Sequence, residues 1–173
     1  MANFRLWIEN EWGQGDFASY DNDADESFWG NVGAGVLPIA QDTGRILLNY
    51  RSAYVNEPHT WGVWGGKVDF EDGDYQQEAQ REFIEESGYA GSIRLIPSFV
   101  FRTRGFEYHN FIGVIPKEFE PKIDRQHQWE TESYQWFSLE ELANVEPKHF
   151  GLSTLLQRSW PTIEKLTTQG RET

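Results

Sequence analysis

Residues 65–89 read GGKVDFEDGDYQQEAQREFIEESGY, and this stretch decides the interpretation of the whole chain. Its second half predicts an α-helix that begins after Asp74, since Asp74 and Gln77 have the spacing of a capping box, and that ends at Gly88. Side chains three and four positions apart lie on the same side of a helix. One narrow face therefore carries four carboxylates: Glu78, Glu82, Glu85 and Glu86.

These clustered carboxylates require a positive partner. Two unit charges about 4 Å apart repel by roughly 4 kcal/mol at an effective dielectric constant of 20. Arg81 and Lys67 can each neutralise one charge, and Phe83 and Ile84 are expected to point away toward a core. Hard cations such as Mg²⁺ or Mn²⁺ take oxygen ligands and bridge carboxylates to phosphates. The cluster therefore predicts a divalent metal site, and the alternative is a solvated helix in which Arg81 pairs with Glu78 and Glu82.

Strands are predicted on both sides of this helix. Alternating apolar residues in Gly35–Ala40 and Arg45–Arg51 flank the turn residues 41–44, which predicts a β-hairpin. Thr60–Val68 is predicted to be a short strand whose glycines permit a close backbone approach. Ser92–Thr103 and Glu107–Ile115 are predicted to form another strand pair.

The chain is predicted to end in helices. Ser133–Ser138 has the pattern of a strand, and Ser138 is placed to cap a helix that starts at Leu139. Phe150–Gln169 has apolar residues at helical spacing, and Pro161 is expected to kink or divide that helix. Strands, a helix, strands and then helices indicate an α/β protein with a mixed sheet covered by helices on both sides.

The composition limits the function. A chain of 173 residues fits one domain, residues 1–173, and it has no cysteine, which excludes a disulfide framework, a thiolate zinc site and a cysteine nucleophile. A net charge of -13 argues against binding to long nucleic acid, although a small phosphorylated ligand remains compatible if a cation screens the charge. The sequence leaves a homodimer open.

The N-terminal residues carry no motif. Residues 1–30 are aromatic and acidic, and are interpreted as an extension made of an edge strand and a loop. The acidic run at residues 21–26 lacks the glycine and terminal glutamate of an EF-hand. Met1–Glu11 lacks the features of a signal peptide, and no stretch is apolar enough to span a bilayer. A soluble, cytoplasmic protein that does not bind membranes is therefore expected.

The carboxylate helix and the glycines before it resemble the Nudix signature. That signature is a glycine, five residues, a glutamate, seven residues, and then Arg-Glu-apolar-x-Glu-Glu-x-Gly-apolar. The matching residues are Gly66, Arg81, Glu82, Phe83, Glu85, Glu86, Gly88 and Tyr89. Arg81 lies fifteen residues after Gly66, one more than the signature requires, so that the loop 69–73 carries an insertion. Either Asp72 or Glu71 would fill the first acidic position.

The resemblance implies a Nudix fold, an α/β/α sandwich with a glutamate-rich catalytic helix. It implies that Glu82, Glu85 and Glu86 bind Mg²⁺, or Mn²⁺, and that Arg81 orients the glutamates. The activity it implies is hydrolysis of a nucleoside diphosphate linked to another moiety, by a metal-activated water. The residues just before the predicted strand Ser133–Ser138 resemble an acidic loop that comes late in the family's sequences, the late loop. The catalytic base would be Glu82 or a glutamate of this segment, either Glu130 or Glu132.

Several residues are candidates for substrate binding. The candidates on the strands around the signature are Arg51, Trp64, Gly65, Gly66 and Lys67. Aromatic rings of Trp61, Trp64, Phe106 and Tyr108 could stack on a base, although core packing is the simpler expectation for most of them. Arg51, Arg102 and Arg104 could clamp phosphates, although an ion pair is the simpler expectation for each. The four histidines lack the spacing of metal ligands.

Three functions are compared. The first is the hydrolase, acting on ADP-ribose, dinucleoside polyphosphates, nicotinamide dinucleotides, nucleoside triphosphates or capped RNA ends. The second is a catalytically silent Nudix-like module that binds a nucleotide and regulates. The complete set of Arg81, Glu82, Glu85 and Glu86 favours the enzyme. Isoprenoid diphosphate isomerisation is disfavoured, because that branch of the family needs a cysteine.

Overall fold

A computed structural model describes residues 32–68, 74–103, 106–125 and 127–169. The predictions for residues 1–30, for the insertion at 69–73 and for Arg104 lie outside them. The described residues form seven strands and three helices: β1 (Val32–Ala40), β2 (Ile46–Arg51), β3 (Trp61–Gly62), β4 (Trp64–Lys67), α1 (Tyr75–Ser87), β5 (Arg94–Thr103), β6 (Phe106–Ile115), β7 (Thr131–Phe137), α2 (Leu139–Asn144) and α3 (Phe150–Gln169).

Strand β1 is the centre of a mixed sheet. It pairs in parallel with β6 along its whole length, from Val32 opposite Glu107 to Ala40 opposite Ile115. On its other side it pairs antiparallel with β4 near its start and with β2 at its end. Strands β3 and β7 pair with β2, and β5 pairs with β6, all antiparallel. The start of β1 therefore lies against the glycines of β4.

Helices cover both faces of this sheet. Alternate residues of β1 point to opposite faces, so Val36 joins the apolar cluster under α1 while Leu37 joins the cluster under α2 and α3. Phe83 of α1 is fully buried in the first cluster, and Leu155 of α3 is buried in the second. The predicted α/β/α sandwich is confirmed. No helix of the described residues is both long enough and apolar enough to cross a membrane.

Local sequence signals place most element boundaries correctly. Asp74 accepts a hydrogen bond from the backbone nitrogen of Gln77 at 3.1 Å, and Gly88 ends α1 in a left-handed conformation with φ 68°. Ser138 caps α2 as predicted. The predicted strand Thr60–Val68 is instead two short strands that meet at Val63. Helix α3 continues through Pro161, so the proline does not divide it.

The predicted orientation of Ile84 is wrong. Its side chain is 36% exposed, whereas its neighbour Phe83 is completely buried. Successive helical residues are about 100° apart around the axis, so only one of the two can face the sheet. The buried stripe of α1 instead runs through Ala79, Phe83 and Ser87, with Glu86 at its margin.

Removing the Phe83 ring should destabilise the protein strongly. Phe83→Ala is expected to lower the free energy of unfolding by about 3–5 kcal/mol, because the ring fills space between Trp64 and Tyr89. Ile84→Ala is the matched control on the same helix, with an expected change within about 0.5 kcal/mol. Urea unfolding followed by circular dichroism measures both, and similar losses in the two variants would contradict this packing.

Candidate active site

Arg81 holds three carboxylates of α1 together. Its guanidinium donates hydrogen bonds to Glu78 at 2.9 and 3.1 Å, to Glu82 at 2.5 Å and to Glu85 at 2.7 Å. The hydrogen bonds to Glu78 are the largest cause of a raised Arg81 pKa. The arginine remains charged and fixes the direction of each carboxylate. This is the orienting position that the sequence predicted for it.

Glu86 is the buried member of the cluster. It is 3% exposed, and its Oε2 accepts a hydrogen bond from the backbone nitrogen of Gly65 at 3.0 Å. Burial raises the pKa of Glu86 far above its usual value, and the nearby carboxylates of Glu130 and Glu82 raise it further. The hydrogen bond from Gly65 and the charge of Arg51 only partly oppose these effects. Three carboxylates thus converge on a site with too little positive charge.

The glycine pair of β4 lets α1 approach. A Cβ atom on Gly66 would lie 2.8 Å from Oε2 of Glu82, so that a side chain there would displace this carboxylate. A Cβ atom on Gly65 would lie 2.2 Å from the carbonyl oxygen of Ala34, and Gly65 has φ +154°. Gly65 thus orients Glu86, and Gly66 leaves room for Glu82.

Arg51 lies at the other side of the carboxylates. Its Nε and Nη2 donate to the carbonyl oxygen of Asn56 at 3.0 and 2.7 Å. Burial lowers the pKa of Arg51, while nearby groups that include Glu86 and Glu130 act in the opposite direction. These hydrogen bonds fix the guanidinium against a carbonyl oxygen, and the carboxylates of Glu57, Glu86 and Glu130 act on its charge. Arg51 is thus a cation beside the carboxylate cluster.

The structure separates the two glutamates of the late loop. Glu130 is an electrostatic neighbour of Glu82, Glu86 and Arg51, and its carbonyl oxygen accepts a hydrogen bond from the backbone nitrogen of Ser52 at 2.9 Å. Glu132 is more than half exposed and contacts His59 at 3.4 Å. Glu130 is therefore the late-loop glutamate that faces the cluster.

Glu85 differs from the other carboxylates of α1. Its side chain is 43% exposed, whereas that of Glu82 is 17% exposed. It pairs with Arg81 at 2.7 Å, and its charge raises the pKa of Glu82, although burial is the larger cause of that shift. Glu85 thus lies at the outer edge of the cluster.

Trp64 is not available to stack on a base, which corrects its prediction as a substrate-binding residue. Its ring is completely buried, with an edge-on contact to Phe83, and its indole nitrogen donates to the carbonyl oxygen of Leu47 at 3.3 Å. The alternation along β4 turns this side chain inward. Lys67, also predicted to bind substrate, is exposed at the end of the same strand.

The other described aromatic and cationic candidates form an ion pair or pack against neighbouring residues. Arg102 pairs with Glu107 at 2.7 Å, as the simpler expectation had it. Trp61 packs against the cluster under α3. The ring of Tyr108 lies over glycines of β1 and β4. Burial raises the pKa of its hydroxyl, and the charge of Glu86 raises that pKa further. Phe106 makes a tilted ring contact with Tyr108.

Two exposed aromatic residues near the cluster were not predicted. Tyr54 is 82% exposed and follows Arg51 by three positions, and Trp129 is 52% exposed and directly precedes Glu130. An aromatic residue beside a candidate catalytic residue in a polar loop was the signal that could have identified them.

The donor set suits a hard divalent cation. Glu82, Glu86 and Glu130 offer only oxygen ligands, and their mutual repulsion is the unfavourable energy that a dication would relieve. Among the described residues, no three His, Cys, Asp or Glu side chains already surround one point in a way that could hold a metal. Arg81 meanwhile engages Glu82 and Glu85. Each of these hydrogen bonds uses one oxygen of the carboxylate, Oε1 of Glu82 and Oε2 of Glu85.

Comparison with known families agrees with this geometry. The family model described as the NUDIX domain matches residues 30–158, which include the whole carboxylate helix and the late loop. The chain belongs to the Nudix family. No curated protein sequence matches it significantly. The resemblance that the signature residues indicated is thus confirmed, and it extends over most of the described chain.

Solved Nudix structures share the fold. The Nudix hydrolase RenU from M. smegmatis has a TM-score of 0.62 and 22% identity, over 82% of this chain and 88% of that one. A MutT Nudix hydrolase from Burkholderia pseudomallei has a TM-score of 0.58 and 28% identity, over 74% and 96%. A binary complex of the C. elegans Ap4A hydrolase has a TM-score of 0.55 and 19% identity, over 78% and 98%.

Proposed function

We propose that this Nudix protein hydrolyses the pyrophosphate linkage of a nucleoside diphosphate joined to another moiety, with Mg²⁺ as its metal and Mn²⁺ as a substitute. The observation that carries the proposal is the mutual repulsion of the neighbouring carboxylates Glu82, Glu86 and Glu130, with the partly buried Arg51 beside Glu86 and Glu130. Burial of like charges is costly, and a dication bound together with a phosphate would neutralise it.

Each protein group has a role in this reaction. Glu82, Glu85 and Glu86 would hold the metal, with Glu130 as a further ligand or as the base, and the metal, when bound, lowers the pKa of a water ligand and neutralises phosphate charge. Arg51, which is held by the carbonyl oxygen of Asn56, would bind the phosphate through its positive charge.

The chemical step is a displacement at phosphorus. The water oxygen bonds to phosphorus, the bond from that phosphorus to the bridging oxygen breaks, and two phosphate products leave. Either Glu82 or Glu130 accepts the proton of the water. Burial raises the pKa of Glu82, which brings this carboxylate closer to the value that suits a general base near neutral pH.

The comparisons support the choice of substrate class. One structural neighbour is an Ap4A hydrolase, and the relative at 28% identity is a MutT-type hydrolase. A nucleotide-linked pyrophosphate also suits an acidic protein, because the bound metal screens the substrate from the net charge of -13. Gly65 and Gly66 let the backbone of β4 approach the phosphates closely.

The pair Glu130 and Glu132 offers a matched test. Glu130→Gln is expected to lower kcat by about 10²-fold or more, because it removes a metal ligand or the base. Glu132→Gln removes the same charge two residues further along the chain, at the start of β7, and is expected to change kcat by less than about threefold, an effect typical of exposed pairs. Steady-state phosphate release measures both, and equal losses would contradict the assignment.

Binding without turnover is the second candidate function. It is favoured by one observation, which is that no three acidic or histidine side chains of the described residues already surround a point that could hold a metal. A panel of ADP-ribose, dinucleoside polyphosphates and nucleoside triphosphates with Mg²⁺ separates the two, with products identified by phosphorus NMR. Binding of a compound without any product would favour the regulatory module.

A further inference from the structure

Two loops at the edge of the carboxylate cluster are tied together by Ser52. The backbone nitrogen of Ser52 donates to the carbonyl oxygen of Glu130, and its hydroxyl donates to the carbonyl oxygen of Trp129. The same hydroxyl accepts a hydrogen bond from the backbone nitrogen of Tyr54 at 3.2 Å. One serine therefore fixes the backbone positions from which both Tyr54 and Trp129 project.

Both aromatic side chains point to solvent. Tyr54 is 82% exposed and Trp129 is 52% exposed, and Ile84 is the other large hydrophobic residue that is exposed in the described part of the chain. Ile84 lies on the outer face of α1, whereas the two aromatics share one hydrogen-bonded pair of loops. Large exposed rings held on a fixed backbone are typical of binding surfaces.

The position of the two rings indicates which part of a substrate they would contact. Trp129 directly precedes Glu130 in the sequence, and Tyr54 follows Arg51 by three residues. Both Glu130 and Arg51 are electrostatic neighbours of Glu86. A substrate whose phosphates reach these groups would extend its attached groups along the two loops. The net charge of the protein is -13, which disfavours a further anionic group at the rings and favours a neutral, flat one.

We propose that Tyr54 and Trp129 form a nucleobase-binding site, in which the rings stack on the base of the substrate whose pyrophosphate lies at the carboxylates. This site rests on the proposed function, because it places the phosphates at Arg51 and Glu130. Stacking on an aromatic face accepts any base, so the site provides affinity for a nucleoside with little choice among bases. Ser52 is the positioning residue for both rings.

The test compares two ligands that differ only by the nucleoside and are not hydrolysed at their diphosphate: α,β-methylene-ADP and methylenediphosphonate. Isothermal titration calorimetry with Mg²⁺ should show tighter binding of the nucleotide. Tyr54→Leu and Trp129→Leu are each expected to weaken its binding by about 5- to 150-fold, the effect of losing one stacked base. Binding of methylenediphosphonate should change by less than about twofold.

Three matched variants complete the design. Tyr54→Phe and Trp129→Phe keep an aromatic face and should retain most of the nucleotide affinity, and Ile84→Ala, which removes an exposed apolar side chain elsewhere, should retain all of it. Ser52→Ala should weaken nucleotide binding without weakening methylenediphosphonate binding, because it removes the hydroxyl that bonds to the backbone of Trp129 and Tyr54 and keeps the backbone bond to Glu130.

The outcomes separate the two proposals. Equal binding of both ligands by the wild type, or unchanged nucleotide affinity in the leucine variants, would overturn the base site while the hydrolase assignment stands. Failure of the wild type to bind either ligand would overturn both. A wild-type dimer that dissociates in the leucine variants, with nucleotide affinity unchanged, would assign the rings to self-association and overturn the base site.

Discussion

Glu86→Gln is expected to lower turnover by about 10³-fold or more while the protein stays folded, because a neutral amide is a poor ligand for a dication. The amide oxygen can still accept the hydrogen bond from Gly65, so the contact between α1 and β4 survives. Burial penalises the charged form of Glu86, so stability should not fall when that charge is removed. Phosphate release and thermal unfolding measure the two properties.

A control for this variant comes from a different helix. Glu140 is exposed in the first turn of α2, on the opposite face of the sheet, and Glu140→Gln makes the same chemical change there. Its turnover should match the wild type. Hydrolysis by Glu86→Gln at the wild-type rate, or hydrolysis that continues in excess chelator, would disprove the metal-dependent mechanism.

Gly66→Ala is expected to reduce kcat by about 10²-fold, the order of effect of a 1 Å displacement at an active site. Its added methyl group would lie 2.8 Å from Oε2 of Glu82 and push that carboxylate aside. The contact is with a side-chain end and not with backbone, so the fold should tolerate it. Kinetics and circular dichroism on the same sample distinguish a displaced carboxylate from an unfolded protein.

Gly151→Ala is the matched glycine variant. Its methyl group would lie 3.1 Å from Nδ1 of His149 at the start of α3, away from the carboxylates. Unchanged kcat is expected for this variant. A loss in Gly151→Ala as large as that in Gly66→Ala would show that the effect is general strain and not displacement of Glu82.

The parts of the fold that depend on local signals could be predicted from the sequence. Asp74 and Gly88 bound α1 because a capping side chain and a left-handed glycine act within one turn of the helix. The β1–β2 hairpin and the cap at Ser138 follow from similarly short-range chemistry. The carboxylate face of α1 follows from helical spacing alone, and Arg81 pairs with Glu78 and Glu82 as the alternative interpretation of this helix expected.

The features that could not be predicted from the sequence depend on long-range packing. Whether Phe83 or Ile84 faces the core depends on the rotation of α1 against the sheet, and the burial of Trp64 depends on which face of β4 meets that helix. The resemblance to the family favours Glu130 over Glu132 only slightly, and pairing of β7 with β2 brings Glu130 to the end of β2 where Arg51 lies. The hydrogen bonds of Ser52 join loops 77 residues apart.

Direct titration with Mn²⁺ is the measurement closest to the central claim, which is that the carboxylates of α1 and the late loop bind a dication. Electron paramagnetic resonance counts the free metal. The wild type should bind Mn²⁺ at a site that Mg²⁺ competes for, with affinity lost in Glu86→Gln and Glu130→Gln and kept in Glu132→Gln. Binding that is absent in the wild type, or that survives in Glu86→Gln, would contradict the claim.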